Sequence, residues 1–230
     1  MGKPELLEYL AFHLGPVHIG TTVLTTWLLM ILLAGLAWLG TRRLSLDAPT
    51  RWQSALEGAV LALQAAIEGA APGHAPRLLP FIGTLWVFIA SANLIGLVPG
   101  LSSPTGDLNL TVALAMLVFV SVHWYGIGID GLKQYLRHYV DPNPILLPFH
   151  VIGEITRTVA LAVRLFGNMM SLELAALLVL LVAGFLAPVP LLMLHIVEAL
   201  VQAYIFGMLA LIYIAGGLQS QQLRVQKSEE

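Results

Sequence analysis

Two long apolar stretches near the carboxyl end of the chain, 149–185 and 190–218, contain polar side chains suited to moving an ion. Six of these side chains are candidates for ion translocation: Arg164, Asn168, Glu173, His195, Glu198 and Gln202. Placing an arginine at membrane depth costs from about 3 to more than 10 kcal/mol, and such charges usually mark ion pathways. Imidazole exchanges protons near neutral pH. The combination therefore favours proton or cation transfer across a membrane.

The spacing of these residues predicts a polar seam between two helices. On a helix, Arg164 and Asn168 share one face, and His195, Glu198 and Gln202 also share one face. An antiparallel hairpin with its turn near Gly184 makes three level pairs: Arg164 with Gln202, Asn168 with Glu198, and Glu173 with His195. Glu173 is nine residues beyond Arg164, about 180° round the helix. We therefore expect two separate access paths, one on each side of the arginine.

Each candidate also has a plainer interpretation. Asn168 and Gln202 are residue types that join membrane helices by hydrogen bonds without any role in ion transfer. For Arg164 the alternative is a static salt bridge with a nearby carboxylate. Glu154 and Arg157, three residues apart, are typical of a local ion pair. Histidines near the ends of spans, such as His123, are expected to be solvated. No two histidines are three or four residues apart, so no metal site is predicted.

Composition places the chain in the membrane. Of its 230 residues, 58% are hydrophobic and 10% are charged, whereas soluble domains average about 25% charged residues. The chain has no cysteine, which excludes disulfides and thiolate metal sites. The sequence contains neither a phosphate-binding glycine loop nor a basic nucleic-acid-binding patch, so we predict no cofactor and no nucleic-acid partner.

Hydropathy predicts an all-α polytopic fold with one membrane domain over 1–230. Runs at 21–40, 79–98 and 109–128 are long enough to cross a bilayer upright. The stretches 149–185 and 190–218 are longer than a bilayer requires, so we expect a hairpin of two strongly tilted helices. Five helices would then cross the membrane. The segment 50–70 carries polar residues along its length and is expected to be an amphipathic interfacial helix.

The basic residues orient these spans. With the amino terminus outside, only Lys3 lies in an outer segment. Eight basic residues then lie on the cytoplasmic side: Arg42, Arg43, Arg51, Arg77, Lys133, Arg137, Arg224 and Lys227. This excess of inner Lys and Arg predicts an outer amino terminus and a cytoplasmic carboxyl terminus.

Three motifs resemble subunit a of the F-type rotary ATP synthases. They are RLFGNM at 164–169 with Glu173 after it, QAYIF at 202–206, and NLIGLVP at 93–99 followed by DLNLT at 107–111. They cover roughly residues 80–215. The segment FHLGPV at 12–17 and the short chain are also similar to the alternative N-type branch, some members of which move sodium.

The resemblance implies a stator whose two slanted helices lie against a rotating ring of c subunits. Arg164 matches the essential arginine of the family. Positions matching Glu173, His195, Asn168 and Gln202 are associated with the access half-channels or with positioning that arginine. The chain departs from the family pattern at Leu172, at Thr158, and at Glu198, which is an additional carboxylate that we include among the ion-translocating candidates.

The resemblance also implies a non-catalytic subunit without a cofactor, in the inner membrane of a bacterium. Its implied partners are the c ring, the b-subunit peripheral stalk, the soluble ATPase head and membrane lipid. Two alternatives remain open at this point. One is sodium in place of protons, and the other is a proton-coupled secondary transporter, although the sequence has neither the internal repeat nor the interrupted helix of that class.

Overall fold

A computed structural model describes residues 13–14, 17–18, 20–42, 50–98, 101, 103–130, 147–183 and 189–229. Within these ranges the chain forms six α-helices: α1 (Thr21–Thr41), α2 (Arg51–Ala70), α3 (Ala75–Leu94), α4 (Leu108–Asp130), α5 (Leu147–Ala183) and α6 (Val189–Glu229). Two 3₁₀ turns, Ile95–Leu97 and Pro104–Gly106, lie between α3 and α4. A short antiparallel pairing joins β1 (His13–Leu14) to β2 (Val17–His18).

Five of these helices are long and apolar enough to cross a membrane, and they confirm the predicted all-α polytopic fold. The apolar segments are Thr21–Thr41, Ala75–Leu97, Leu108–Gly128, Pro148–Val182 and Val189–Gly216. Helix α2 is not among them, as expected for the segment predicted to lie at the interface. Its depth in the bilayer, and the tilt of α5 and α6, remain predictions.

Local side-chain contacts fix where several helices begin and end. The Thr50 hydroxyl accepts a hydrogen bond from the Gln53 backbone N–H at 3.3 Å and so caps α2. Gly73 follows α2 with φ of 77°, a conformation that glycine adopts without strain. The Asp107 carboxylate accepts from the Asn109 backbone N–H at 2.9 Å at the start of α4. These contacts satisfy backbone groups that the helix itself leaves unpaired.

The predicted helical hairpin corresponds to α5 and α6, although α6 continues 11 residues past the predicted end at 218 (229 − 218). The apolar run stops near 218, but residues 219–229 contain neither glycine nor proline and include glutamine, arginine and lysine. These residue types favour helix formation whether or not they are buried. The length of the apolar run therefore underestimates the length of the helix. The predicted turn at Gly184 lies outside the described residues.

One apolar core is shared by α2 to α6. Its largest fully buried members are Ile67, Leu78, Ile82, Ile89, Leu161, Leu165, Phe206, Leu211 and Ile214. The last two helices differ in burial. Half of the residues in an 18-residue apolar segment of α6 are buried, but only 17% of those in the corresponding segment of α5. Helix α5 therefore leaves a long apolar face uncovered in the isolated chain.

Helix α6 crosses α3 at a glycine. The Trp86 indole N–H donates a hydrogen bond to the Tyr204 carbonyl at 3.2 Å, and the two rings are stacked with centroids 5.9 Å apart. A Cβ added at Gly207 would overlap the Trp86 indole. The crossing fixes the position of α6 along α3, and hence the depth of the polar residues on α6.

Candidate functional site

Helices α5 and α6 meet through a hydrogen bond between two amides. The Asn168 side-chain N–H₂ donates to Gln202 Oε1 at 2.7 Å. Gln202 is 2% exposed, and its own N–H₂ group has no hydrogen-bond partner within the described residues. Since a buried amide normally uses its donors, this group is suited to binding a buried water molecule.

This bond corrects the predicted register of the hairpin. The sequence prediction placed Asn168 level with Glu198, whereas Asn168 bonds Gln202, one helical turn farther along α6. The prediction assumed a turn near Gly184. In an antiparallel hairpin, a pairing displaced by four residues corresponds to an assumed turn centre that is wrong by two residues, so the assumed turn position accounts for the error.

Glu173 meets the connection between α3 and α4. Its Oε1 accepts a hydrogen bond from the Ser103 backbone N–H at 3.2 Å. Gly106 approaches the same carboxylate, because a Cβ added there would lie 3.4 Å from Oε2. The Glu173 side chain is half-buried. Its carboxyl group therefore lies against the backbone of this connection, on the carboxyl-terminal side of Arg164 along α5.

His195 is buried and bonds the end of α3. Its Nε2 lies 3.2 Å from the Asn93 carbonyl oxygen. A carbonyl oxygen only accepts, so this contact requires a hydrogen on Nε2. His195 is 5% exposed. The imidazole is thus held on α3 rather than directly against Glu173.

Asn93 holds three elements together. Its side-chain N–H₂ donates to the Ala199 carbonyl of α6 at 3.1 Å, and its Oδ1 accepts from the Thr105 hydroxyl at 2.6 Å. Asn93 and Thr105 are fully buried. The amide therefore ties α3 to both α6 and the turn before α4.

A continuous set of polar contacts links Glu173 to His195 through this connection. The Ser103 hydroxyl lies 2.9 Å from the Ala92 carbonyl and 2.7 Å from the Thr105 hydroxyl. Together with the Thr105 hydroxyl contact to Asn93 Oδ1, this makes three short contacts. The two hydroxyl groups have only two hydrogens to place in them. One contact is thus without a hydrogen at any moment, and the hydroxyls can alternate between arrangements. The predicted association of Glu173 with His195 is therefore indirect.

Three residues of this polar connection were not among the candidates predicted from the sequence: Asn93, Ser103 and Thr105. They lie in or beside the motif NLIGLVP, but a polar residue at the end of an apolar span resembles an ordinary interface residue. The signal that distinguishes them is their burial, which depends on how α3 packs on α6. Spacing along the chain does not contain that information.

Arg164 is exposed on the uncovered face of α5. Apolar side chains on the same helix are also exposed, including Ile155, Val159 and Val163. Within the described residues the structure records no hydrogen bond or ion pair for Arg164 or for the half-buried Glu198. The static salt bridge considered for Arg164 is therefore not formed among these residues. A guanidinium on an apolar face requires a partner from outside the chain or access to water.

Comparisons with known proteins agree with the motifs. The family model described as ATP synthase A chain matches residues 23–215. The chain is 65% identical to ATP synthase subunit a 2 of Pelobacter propionicus over 219 residues, covering 95% of this chain and 96% of the relative. It is 64% identical to ATP synthase subunit a 1 of Hahella chejuensis, covering 90% and 88%. It is 54% identical to ATP synthase subunit a of Legionella pneumophila strain Corby, covering 98% of each.

Proposed function

The chain belongs to the ATP synthase A chain family and is a membrane subunit of that multi-subunit complex, and we propose that it is the stator that conducts protons against a rotating c ring. In this proposal it has no catalytic site and no cofactor of its own. The whole of 1–230 acts as one membrane domain in a bacterial inner membrane, with the amino terminus outside. The b-subunit stalk and the soluble ATPase head are the further partners.

The observation that carries the proposal is Arg164 on the bare apolar face of α5. A fixed cation there is costly unless water reaches it or a carboxylate approaches it from another subunit. A ring subunit with one membrane carboxylate supplies both the missing apolar cover and the missing charge. The uncovered face of α5, with exposed residues such as Val159 and Val163 beside Arg164, is the surface we assign to the ring.

Arg164 then sets the protonation state of the ring. A cation stabilises the ionised form of a carboxyl group that faces it, so the pKa of that ring carboxyl falls and its proton leaves. A protonated carboxyl gains nothing from facing Arg164, which prevents protons from passing straight between the two access paths. Each charge that crosses a potential of 100 mV supplies about 2.3 kcal/mol. Summed over a rotation, this energy drives ATP synthesis in the soluble head.

We assign the outer access path to Glu173, His195 and the buried groups between them. Glu173 is nine residues beyond Arg164, about 14 Å along α5. The alternating hydroxyls of Ser103 and Thr105 supply polar contacts through an otherwise apolar region. Asn168 and Gln202 lie between this path and Arg164 along the helices, where the unused Gln202 donor can hold water. Glu198 is one turn from Gln202 and adds a carboxylate to the same region.

Reconstitution of the affinity-purified complex tests this function. We expect a ring of small hairpin proteins and a soluble ATPase to co-purify with the chain, and ATP to drive acidification of vesicles without added sodium. Pumping that requires sodium would instead favour the N-type sodium variant. A chain that purifies alone and carries a small solute would favour a secondary transporter and contradict the proposal.

A further inference from the structure

His123 on α4 and Glu154 on α5 form an ion pair far from the polar groups described above. Nε2 of His123 lies 3.3 Å from Oε2 of Glu154, and 29% and 22% of the respective side chains are exposed. The pair is at the end of the molecule where α4 ends and α5 begins. It is therefore on the opposite side of Arg164 from Glu173.

The second ring nitrogen of His123 identifies where the hydrogens lie. Nδ1 is 2.8 Å from the Phe119 carbonyl oxygen, and because a carbonyl only accepts, Nδ1 carries a hydrogen. A neutral His123 then has a lone pair on Nε2 that faces the carboxylate. The contact is favourable only with one proton between Nε2 and Oε2, held by either residue. In both arrangements the pair is neutral overall.

We propose that His123 and Glu154 together hold one exchangeable proton and pass it into the inner path towards Arg164. This inference rests on the proposed function and adds a specific proton-loading site to it. Glu154 is ten residues before Arg164, about 15 Å along α5, and Glu173 is about 14 Å beyond it. Arg164 thus has a carboxylate at a similar distance on each side. One is held by α4, and the other by the connection between α3 and α4.

Partial exposure suits a loading role. A proton donor must exchange with water, and a fully buried ion pair would be cut off from it. A fully exposed pair would be loosely held, because surface ion pairs contribute only about 0–1 kcal/mol. Thr158 donates its hydroxyl hydrogen to the Glu154 carbonyl at 2.9 Å, one turn nearer to Arg164.

Other ionisable groups on the surrounding helices contribute to the local field. On α5 they are His150, one turn before Glu154, and Arg157, whose guanidinium carbon is 5.6 Å from the Tyr213 ring centroid on α6. Arg77 of α3 lies with its guanidinium beside Gly128 in the last turns of α4. Tyr125 of α4 packs against Phe81 of α3. The predicted ion pair between Glu154 and Arg157 is not found among the described residues, where Glu154 contacts His123 of α4 and Arg157 contacts Tyr213 of α6.

The test is ATP-driven proton pumping by the reconstituted complex as a function of pH on the side where ATP is added. Imidazole exchanges protons within the physiological range, so the pair keeps capturing protons as their concentration falls. In Glu154→Gln and in His123→Gln, capture would depend directly on free protons, and pumping would fall by up to about tenfold per pH unit above neutrality. Near pH 6 the variants should pump at close to the wild-type rate. Glu154→Asp keeps the carboxyl group and should restore the wild-type pH profile.

Glu57→Gln is the matched control, since it removes a carboxylate from α2 and should leave the pH profile unchanged. The double variant His123→Gln, Glu154→Gln should be no worse than the more harmful single variant, because the two residues hold one proton. A second readout is the NMR spectrum of complex labelled with ¹⁵N-histidine, in which the Nε2 resonance of His123 is identified by its loss in His123→Gln. This resonance should move in Glu154→Asp. Its change with pH should follow the change in the pumping rate. This spectroscopic readout holds even where Glu154→Gln fails to assemble.

Each outcome decides between the two proposals. Wild-type profiles in both single variants, equal loss at every pH, or additive effects in the double variant would overturn the loading pair while leaving the proposed function intact. Absence of proton pumping in the wild-type complex, or normal coupled pumping in Arg164→Ala, would instead contradict the proposed function itself.

Discussion

Asn93 makes three contacts in the proposed outer access path, two through its side chain and one through its backbone carbonyl. Asn93→Leu keeps an apolar side chain of similar size but leaves the Ala199 carbonyl and the Thr105 hydroxyl without their partner. An unsatisfied buried polar group costs about 1–3 kcal/mol. We expect the variant complex to denature at a lower temperature and to conduct protons more slowly, measured by thermal inactivation and by passive proton flow.

Asn109→Leu provides the control for this substitution. Asn109 is exposed and bonds only the neighbouring Asp107 within the described residues. A surface substitution of this kind changes stability by about 0.5 kcal/mol or less. Equal losses in Asn93→Leu and Asn109→Leu would mean that burial of Asn93 does not organise the path.

At the residue scale, the sequence indicates which side chains are suited to ion transfer but not what they contact. Arg164, Glu173 and His195 are conspicuous because charges are rare in apolar segments. The partners of Glu173 and His195 are a backbone N–H and a backbone carbonyl, which every residue has. No pattern of residue types distinguishes those partners before the helices are packed.

At the scale of elements, the register of α5 against α6 is open to a direct test. The chain has no cysteine, so paired cysteines can be introduced without background. We expect Asn168→Cys with Gln202→Cys to be joined by a short bifunctional thiol reagent, since the native side chains bond at 2.7 Å. The matched pair, Asn168→Cys with Glu198→Cys, should be joined less efficiently. Preferential joining of 168 to 198 would restore the register predicted from sequence.

The crossing of α3 and α6 gives a second prediction at this scale. Gly207→Ala puts a methyl group where the Trp86 indole lies, and overpacking of this kind costs about 1–3 kcal/mol. We expect less assembled complex in the membrane and a lower temperature of inactivation, measured by quantitative blotting and activity after heating. Gly58→Ala in α2 is the control, because a Cβ there meets nothing within 4 Å. Comparable losses in both variants would contradict a tight crossing at Gly207.

Hydropathy predicts the helices well because burial in lipid requires long uninterrupted apolar runs. The bounds of α1, predicted at 21–40 and found at Thr21–Thr41, show this. The pairing of helices is less predictable, because polar residues one turn apart on α6, Glu198 and Gln202, are both reasonable partners for Asn168. Sequence spacing therefore defines the shared face and leaves the register uncertain by one turn.

For the whole molecule, the uncovered face of α5 and the charges along it belong to one arrangement. Glu154, Arg164 and Glu173 follow each other along a single helix, with two of them held by neighbouring elements and Arg164 exposed. The core packs α2, α3, α4 and α6 behind this helix. We infer that the remainder of the fold serves to present α5 to the ring and to supply polar access at each end.

In the proposed function Arg164 couples the ring to ion flow, and ATP-driven proton pumping by the reconstituted Arg164→Ala complex is the decisive measurement. We expect the variant to assemble with the ring and the soluble head, because Arg164 makes no hydrogen bond or ion pair within the part of the chain that the structure describes. The variant should hydrolyse ATP without pumping. Arg164→Lys should not restore full coupling, since a compact ammonium lacks the planar guanidinium and loses its proton more readily when desolvated. Pumping by Arg164→Ala at a rate close to that of the wild-type complex would contradict the claim.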